Sequence, residues 1–223
     1  MVTYNLDDIP FFDGIEIEER DSMLKCLDVR IKEYKKGEMV FHEGDEAKYV
    51  GLVLSGSVQI IRDDFYGNRS ILTTIREKQL FAESFSCSDL ERLPVGVYAN
   101  QDTVIMLMDC KRIINTCINS CIFHAKLIQN LLKHVVQKNL MLNQKIEYMS
   151  KKTTKDKLMA YLLAKAKESE SSSFSIEYDR QALADYLGVE RSAMSAEISK
   201  LKKAGLIEVN KNHFTILNAG NME

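Results

Sequence analysis

The hydrophobic rhythm of this chain changes along its length, and each change marks a different kind of element. Over residues 5–35 apolar positions fall at helical spacing. Ile9, Phe11, Phe12 and Ile15 come first, and Met23, Leu24 and Leu27 then share one face of a helix within Glu18–Val29 that Asp13 or Gly14 could begin. From Ile31 to Asp109 the period shortens to that of strands: Met39-Val-Phe, Val50-Gly-Leu-Val-Leu, Val58-Gln-Ile-Ile, Ile71-Leu-Thr-Thr-Ile, Val95-Gly-Val-Tyr and Thr103-Val-Ile-Met-Leu-Met. Gly37, Glu43-Gly-Asp, Ser55-Gly-Ser and Tyr66-Gly-Asn punctuate them as turns. Short strands every ~8–12 residues predict a sandwich or barrel.

Beyond Cys110 the strand signal ends. Residues 111–149 contain no Gly or Pro, and Cys121, Ala125, Ile128, Leu132, Val135, Asn139, Leu142, Ile146 and Met149 recur alternately every four and three positions. That heptad, apolar except at Asn139, predicts a two-stranded coiled-coil seam in which one buried Asn sets register. The simpler alternative is one long helix lying on its own barrel. A single barrel is too short to cover ~30 Å of helix along that stripe, so a homodimer seam is the expectation.

Ser150-Lys-Lys-Thr breaks the heptad, and Thr153 or Thr154 can cap a following helix over Lys155–Lys167. Phe174-Ser-Ile-Glu-Tyr reads as a short strand. Asp179 then caps a helix ending at Gly188, which suits a tight turn into a second helix from Arg191 to Ala204. Ala182, Leu183, Leu187, Val189, Met194, Ile198 and Leu201 supply the packing between the two. Leu206-Ile-Glu-Val and His213-Phe-Thr-Ile-Leu flank Asn210-Lys-Asn as a hairpin. The plan is a winged helix-turn-helix.

Such a plan gives specific residues specific work. The second helix presents Arg191, Ser192, Ala193, Ser195, Ala196 and Ser199, whose first turn is where base edges are read; Arg191 suits a bidentate pair with guanine. Arg180, Gln181, Lys200, Lys202, Lys203 and Lys211 are placed to meet phosphates. Charge is consistent with this division: residues 151–213 carry a net +3 and residues 1–150 a net −4. Hydrophobic residues at 45% and charged residues at 28% are ordinary for a globular protein, and no apolar run approaches a membrane span, so a cytoplasmic, membrane-free protein is expected. Cys26, Cys87, Cys110, Cys117 and Cys121 are expected as reduced thiols. Cys117 and Cys121, at i,i+4, could share a metal or sense oxidation, against the commoner role of small buried hydrophobes.

The order of barrel, long helix and winged helix resembles the CRP/FNR family of bacterial transcription regulators, over nearly the whole chain. Val40-Phe-His-Glu-Gly-Asp-Glu-Ala-Lys-Tyr-Val-Gly-Leu-Val-Leu-Ser-Gly-Ser-Val is similar to the family's barrel signature, and Lys36-Gly-Glu, Leu187-Gly-Val and Leu201-Lys-Lys-Ala-Gly-Leu-Ile match further family patterns. The resemblance implies an α+β chain: an N-terminal β jelly-roll sensor barrel with its leading helix (1–110), a long dimerisation helix (111–150) and a C-terminal winged helix-turn-helix (151–223). It also implies double-stranded DNA and RNA polymerase as partners, and a small-molecule effector in the barrel.

Departures from the family limit the effector. Cyclic-AMP-binding members carry a Gly-Glu pair and, about ten residues on, an Arg followed by small residues. Here Phe81-Ala82-Glu83-Ser84 keeps the Glu but has Ala82 for Gly, and Leu93-Pro94-Val95 has no Arg. A bound phosphate would lack a charge-assisted contact worth about 2–3 kcal/mol, and Pro94 removes a backbone donor. Cyclic AMP is therefore not expected, although Phe81–Ser84 and Leu93–Val95 stay the candidate effector pocket. The N-terminal cysteine cluster of the iron–sulfur members is absent. His42, His124 and His134 leave haem as a minor alternative. At the recognition helix Ser192, Ser195 and Ala196 replace residues that FNR-like members use, so no operator sequence carries over.

No nucleophile–base pair, phosphate loop or zinc-protease motif is visible, so the chain is not expected to be an enzyme. The reading is a homodimeric, sequence-specific DNA-binding regulator on an inverted-repeat operator. Its alternatives are a regulatory module acting through protein contacts and a haem- or thiol-sensing version of the same regulator.

Overall fold

The computed structural model describes residues 5–63, 69–115 and 122–217, and divides into two compact units within 1–136 and 137–223. The first unit opens with a 3-10 turn at Pro10–Phe12 and helix α1 (Ile17–Cys26). Its strands are β1 (Arg30–Tyr34), β2 (Met39–Phe41), β3 (Tyr49–Ser55), β4 (Ser57–Asp63), β5 (Arg69–Arg76) and β6 (Leu80–Phe81). Helix α2 (Glu83–Ser86), strands β7 (Gly96–Ala99) and β8 (Thr103–Asp109), and helix α3 (Cys110–Ile114) follow. They form two antiparallel four-stranded sheets, ordered β1-β8-β3-β6 and β2-β7-β4-β5.

Between the sheets lies an apolar interior of Phe41, Val53, Val58, Ile75, Phe81, Leu93, Val97, Ile105 and Leu107. The opposite face of the first sheet is also buried. Val50, Leu52, Met106 and Met108 point there, against Phe11, Phe12, Met23 and Leu27 from the N-terminal segment. This is why β3 and β8 read as unbroken apolar runs: a strand covered on both faces has no side to give to water. By contrast β1, whose first four residues are exposed, is a polar edge strand held by backbone pairing to β8, and it has no apolar signal of its own.

The long helix α4 runs Ile122–Ser150, about 43 Å at 1.5 Å per residue. The separate helix α3 precedes it and ends at Asn115, whose backbone is extended (φ −95°, ψ 122°), after Cys110 and Ile113 have been buried against the first unit. Phe123, Leu127 and Leu131 on α4 join the same core, and Asn130 donates to the carbonyls of Phe11 and Asp13 at 3.1 and 2.9 Å. So one face of the helix does lie on its own barrel, while the heptad face is a different one.

In the second unit α5 (Thr154–Glu168), β9 (Ser173–Ser175), α6 (Arg180–Leu187), α7 (Arg191–Lys203), β10 (Ile207–Asn210) and β11 (His213–Ile216) follow in order, with a sheet β10-β11-β9. Thr153 caps α5 by accepting from Asp156 N at 3.1 Å, and Asp179 caps α6 by accepting from Ala182 N at 2.8 Å. Leu158, Leu162, Leu183, Leu187, Met194, Leu201 and Phe214 form its core.

A tyrosine cluster joins the end of α4 to this core. Tyr148 packs edge-on against Tyr161 (5.7 Å), which in turn meets Tyr186 (5.7 Å), and Tyr186 stacks on Tyr178 (5.0 Å). Burial raises the Tyr161 and Tyr186 hydroxyls, the latter to about 12. The raised values mean that the unfolded chain loses these protons first, so their neutral forms support the fold fully below pH ~10. Stability of the winged unit is expected to fall as pH climbs from ~10 toward 12. Denaturant midpoints followed by far-ultraviolet dichroism check this, and Tyr186→Phe should flatten the slope.

Two of the cysteines expected as thiols are joined: Cys87, after α2, is bonded to Cys110 at the start of α3, with their Cα atoms 5.8 Å apart. Sequence separation of 23 residues hides the pair, because β7 and β8 are what return the chain to α2. Cys26 Sγ lies 3.8 Å from His124 Nε2, while Cys117 and Cys121 lie outside the described residues.

Candidate nucleic-acid interface and barrel interior

The second unit displays its recognition helix because of how α7 is divided. Met194, Ile198 and Leu201 recur at helical spacing and are at most 6% exposed, so they seat one face on α5 and α6. The other face, Arg191, Ser192, Ala193, Ser195, Ala196, Ser199, Lys200, Lys202 and Lys203, is exposed throughout. Gly188 makes the turn in front of it with a left-handed backbone (φ +62°) that a residue with a Cβ adopts only under strain. Ser199 returns its hydroxyl to the Ser195 carbonyl at 2.9 Å, and Lys200 pairs with Glu197 at 2.6 Å. Arg191 makes neither kind of contact within the described residues.

Arg180 is placed differently from the other cations. Its guanidinium donates to the Lys211 carbonyl at 2.9 Å and lies 5.0 Å over the Phe214 ring. Desolvation lowers its pKa, which fits a side chain drawn half out of water. Arg180 therefore ties the start of α6 to the wing turn, and it holds Lys211, exposed at the tip, in position. Gln181 is exposed and bonds Asp185 at 2.8 Å. The sequence places Arg180 by its position in α6; the wing contact needs the fold.

Along α4, the expected seam residues turn away from the barrel core. Leu132, Leu142 and Ile146 are 60–64% exposed, Val135 and Met149 are above 40%, Ala125 and Asn139 are exposed, and Ile128 is half-buried. Cys121 is outside the described residues. Val136, Leu140 and Met141, absent from the heptad, are exposed as well. On a single chain this is a long apolar strip without cover.

Inside the barrel, Phe81, Ala82 and Glu83 are buried, Ser84 is exposed, Leu93 and Val95 are buried and Pro94 is half-buried. Ala82 keeps a left-handed backbone (φ +63°), the conformation that explains why family members carry Gly there, at a cost of about 1 kcal/mol. Glu83, 2% exposed, faces His134 of α4, with Oε1 3.7 Å from Nε2, a contact longer than a hydrogen bond. Leu93, where the phosphate-binding Arg of the family would sit, is packed into the apolar interior, while Phe41 and Phe81 pack there with ring centroids 5.9 Å apart. Arg92, one residue earlier, is on the outside and donates to the Gly44 carbonyl at 2.8 Å.

The three histidines considered for haem are scattered. His42 is exposed, His134 faces Glu83, and His124, 1% exposed, has Nε2 3.8 Å from Cys26 Sγ. No group of three His, Cys, Asp or Glu able to hold a metal occurs among the described residues. Nor, among them, is any helix long and apolar enough to cross a membrane.

A barrel of the cyclic-nucleotide-binding kind joined to a Crp-like winged helix defines the class. Residues 31–119 match the family model for the cyclic nucleotide-binding domain, and residues 156–223 that for the Crp-like helix-turn-helix domain. The chain is 21% identical over 197 residues, 86% of its length and 87% of the other's, to the global nitrogen regulator of Synechococcus elongatus. It is 30% identical over 99 residues, 44% of each chain, to the cyclic AMP receptor protein of Thermus thermophilus. A CooA variant from Carboxydothermus hydrogenoformans shares the fold at TM-score 0.62 and 19% identity, covering 96% of this chain and 94% of that one. The chain belongs to the CRP/FNR family of transcriptional regulators. It is a DNA-binding regulator and not an enzyme.

Proposed function

We propose that the protein is a homodimer that reads an inverted-repeat operator with its paired α7 helices, under the control of an effector other than cyclic AMP. The observation that carries the reading is the exposed face of the first turn of α7, Arg191, Ser192, Ala193 and Ser195, seated on a buried Met194. A helix fixed from behind and bare in front is what a major groove accepts. The uncovered strip on α4 supports pairing of two chains, which would set two such helices about 34 Å apart on successive grooves. Lys202, Lys203 and Lys211 add phosphate contacts, and Arg180 acts by holding the wing.

Leu93 buried in the apolar interior, and Glu83 already facing His134, support an effector chemistry unlike that of a cyclic phosphate. The segment bearing Glu83 meets α4 through His134, so a ligand that moved α2 would bias the helix that joins the two chains. RNA polymerase is the expected protein partner.

Footprinting on the gene's own upstream DNA tests the reading. Arg191→Ala should weaken operator binding by about 1–3 kcal/mol and relax preference at one base position in each half-site, leaving affinity for random DNA near its original value. Equal loss on operator and random DNA would contradict base readout.

A further inference from the structure

The Cys87–Cys110 bond has an asymmetry that neither DNA reading nor the barrel interior uses. Cys87 is exposed, whereas Cys110 is 0% exposed in the core beneath α4. Beside the bond opens a cleft of about 750 Å³ whose walls include the chain neighbours of both cysteines: Ser86 and Ser88 around Cys87, Asp109 and Lys111 around Cys110. Lys48 and Arg92 on the walls stand with Glu46, Asp89 and Asp109, so the cleft offers both signs of charge, and Lys48 lies 3.5 Å from Asp109. Its size suits a small molecule of a few hundred daltons.

We propose that Cys87 is a thiol–disulfide exchange site for a low-molecular-weight peptide thiol, a zwitterion of the glutathione type, that enters this cleft. The thiolate of the small molecule attacks Cys87 Sγ, forming a mixed disulfide, and the Cys87–Cys110 bond breaks as Cys110 leaves with the electron pair and takes up a proton. A second small thiol then attacks its own sulfur in the mixed disulfide and releases the Cys87 thiolate. The balance is two small thiols oxidised to their disulfide and one protein disulfide reduced to two thiols. Attack falls on Cys87 because that residue is exposed, whereas Cys110 is buried. A bond of this kind in a protein that works on DNA belongs to the transient, sensing class, since structural disulfides are rare where DNA is kept.

Opening the bond has a mechanical consequence within the first unit. Cys87 caps the four-residue α2, which is otherwise held by the Ser86 hydroxyl on the Tyr49 carbonyl (2.7 Å) and by Glu83 facing His134 of α4. The disulfide thus clamps to the end of β8 the same segment that touches the long helix. Reduction releases the covalent one among these anchors.

The full-length protein tests this without any operator. Purified without reductant, treated with millimolar reduced glutathione in native buffer, alkylated and weighed, it should gain two alkylatable thiols, mapped to Cys87 and Cys110. In Cys110→Ala, oxidised glutathione should leave one adduct on Cys87. The wild type should react several-fold faster with glutathione than with 2-mercaptoethanol at equal thiolate concentration, and Lys111→Ala should shrink that advantage. Hydrogen exchange over residues 83–95 should rise on reduction. Free Cys87 and Cys110 thiols in the protein treated with diamide would overturn the proposal, as would a bond that yields to glutathione only in denaturant. Equal rates for the two small thiols would overturn the peptide-thiol assignment.

Discussion

Leu132→Asp combined with Ile146→Asp should leave the chain folded but monomeric, with affinity for an inverted-repeat operator lowered by about two to four orders of magnitude. Both positions lie on the α4 heptad and are 61% and 64% exposed in the single chain, so neither carboxylate disturbs the barrel or winged-helix cores. In the proposed pair of chains the same positions would be buried. There an unpaired carboxylate loses its hydration without gaining a partner, at a cost that exceeds what one seam position contributes. Splitting the dimer removes the linkage that makes the second half-site contact intramolecular, and linked sites of this kind gain about 10²–10⁴ in affinity. Sedimentation and fluorescence anisotropy on the same samples check it. A dimer of undiminished operator affinity would show that the chains join elsewhere.

Gly56→Ala should destabilise the barrel unit by about 3 kcal/mol or more, with the winged-helix unit melting as before. Gly56 connects β3 to β4 with φ +87°, and a Cβ built there would lie 2.5 Å from the Asp102 carbonyl and 2.9 Å from Thr103 Cα. The backbone term alone is on the order of 1–3 kcal/mol. Two of the obstructing atoms belong to main chain, the third is Thr103 Oγ1 at 2.5 Å, and all have little freedom to withdraw. Thr103 donates its hydroxyl to the Ser57 carbonyl at 3.0 Å and accepts from Ser57 N at 3.1 Å, and β8 continues into pairing with both β1 and β3. Relief would require breaking this buried corner, which adds the overpacking cost of a filled core. Calorimetry of the full chain should show the barrel unit's part of the unfolding endotherm move to lower temperature. An unmoved profile would mean the corner yields at no cost.

Elements with strong local signals are legible in the sequence alone. The apolar, β-branched runs of β3, β4 and β8, the Asp179 and Thr153 caps, Gly188 between α6 and α7, and the wing around Lys211 are all set by neighbours a few residues away. So is the two-sided character of α7, since helical spacing alone separates Met194, Ile198 and Leu201 from Arg191 and Ser195. The edge strand β1 is not legible, because its exposed residues hold their place through hydrogen bonds to β8 rather than through burial. Nor is the end of α3 legible: residues 111–114 have helical composition with no Gly or Pro after them, yet the backbone turns extended at Asn115, next to the buried Cys110 and Ile113.

The candidate sites divide along the same line. By itself the sequence determined the class of protein, the exposed reading face and the heptad strip, because each is a periodicity and periodicities are local. It also showed that Leu93-Pro94-Val95 holds no arginine, since that is a matter of residue identity. Only the tertiary structure decided that Arg180 serves the wing, that Glu83 faces His134, that Leu93 packs into the apolar interior, and that Cys87 and Cys110 are bonded beside a charged cleft. Each of those joins residues distant in the chain through intervening strands or helices, and spacing along a chain holds no record of which distant side chains a sheet will bring together.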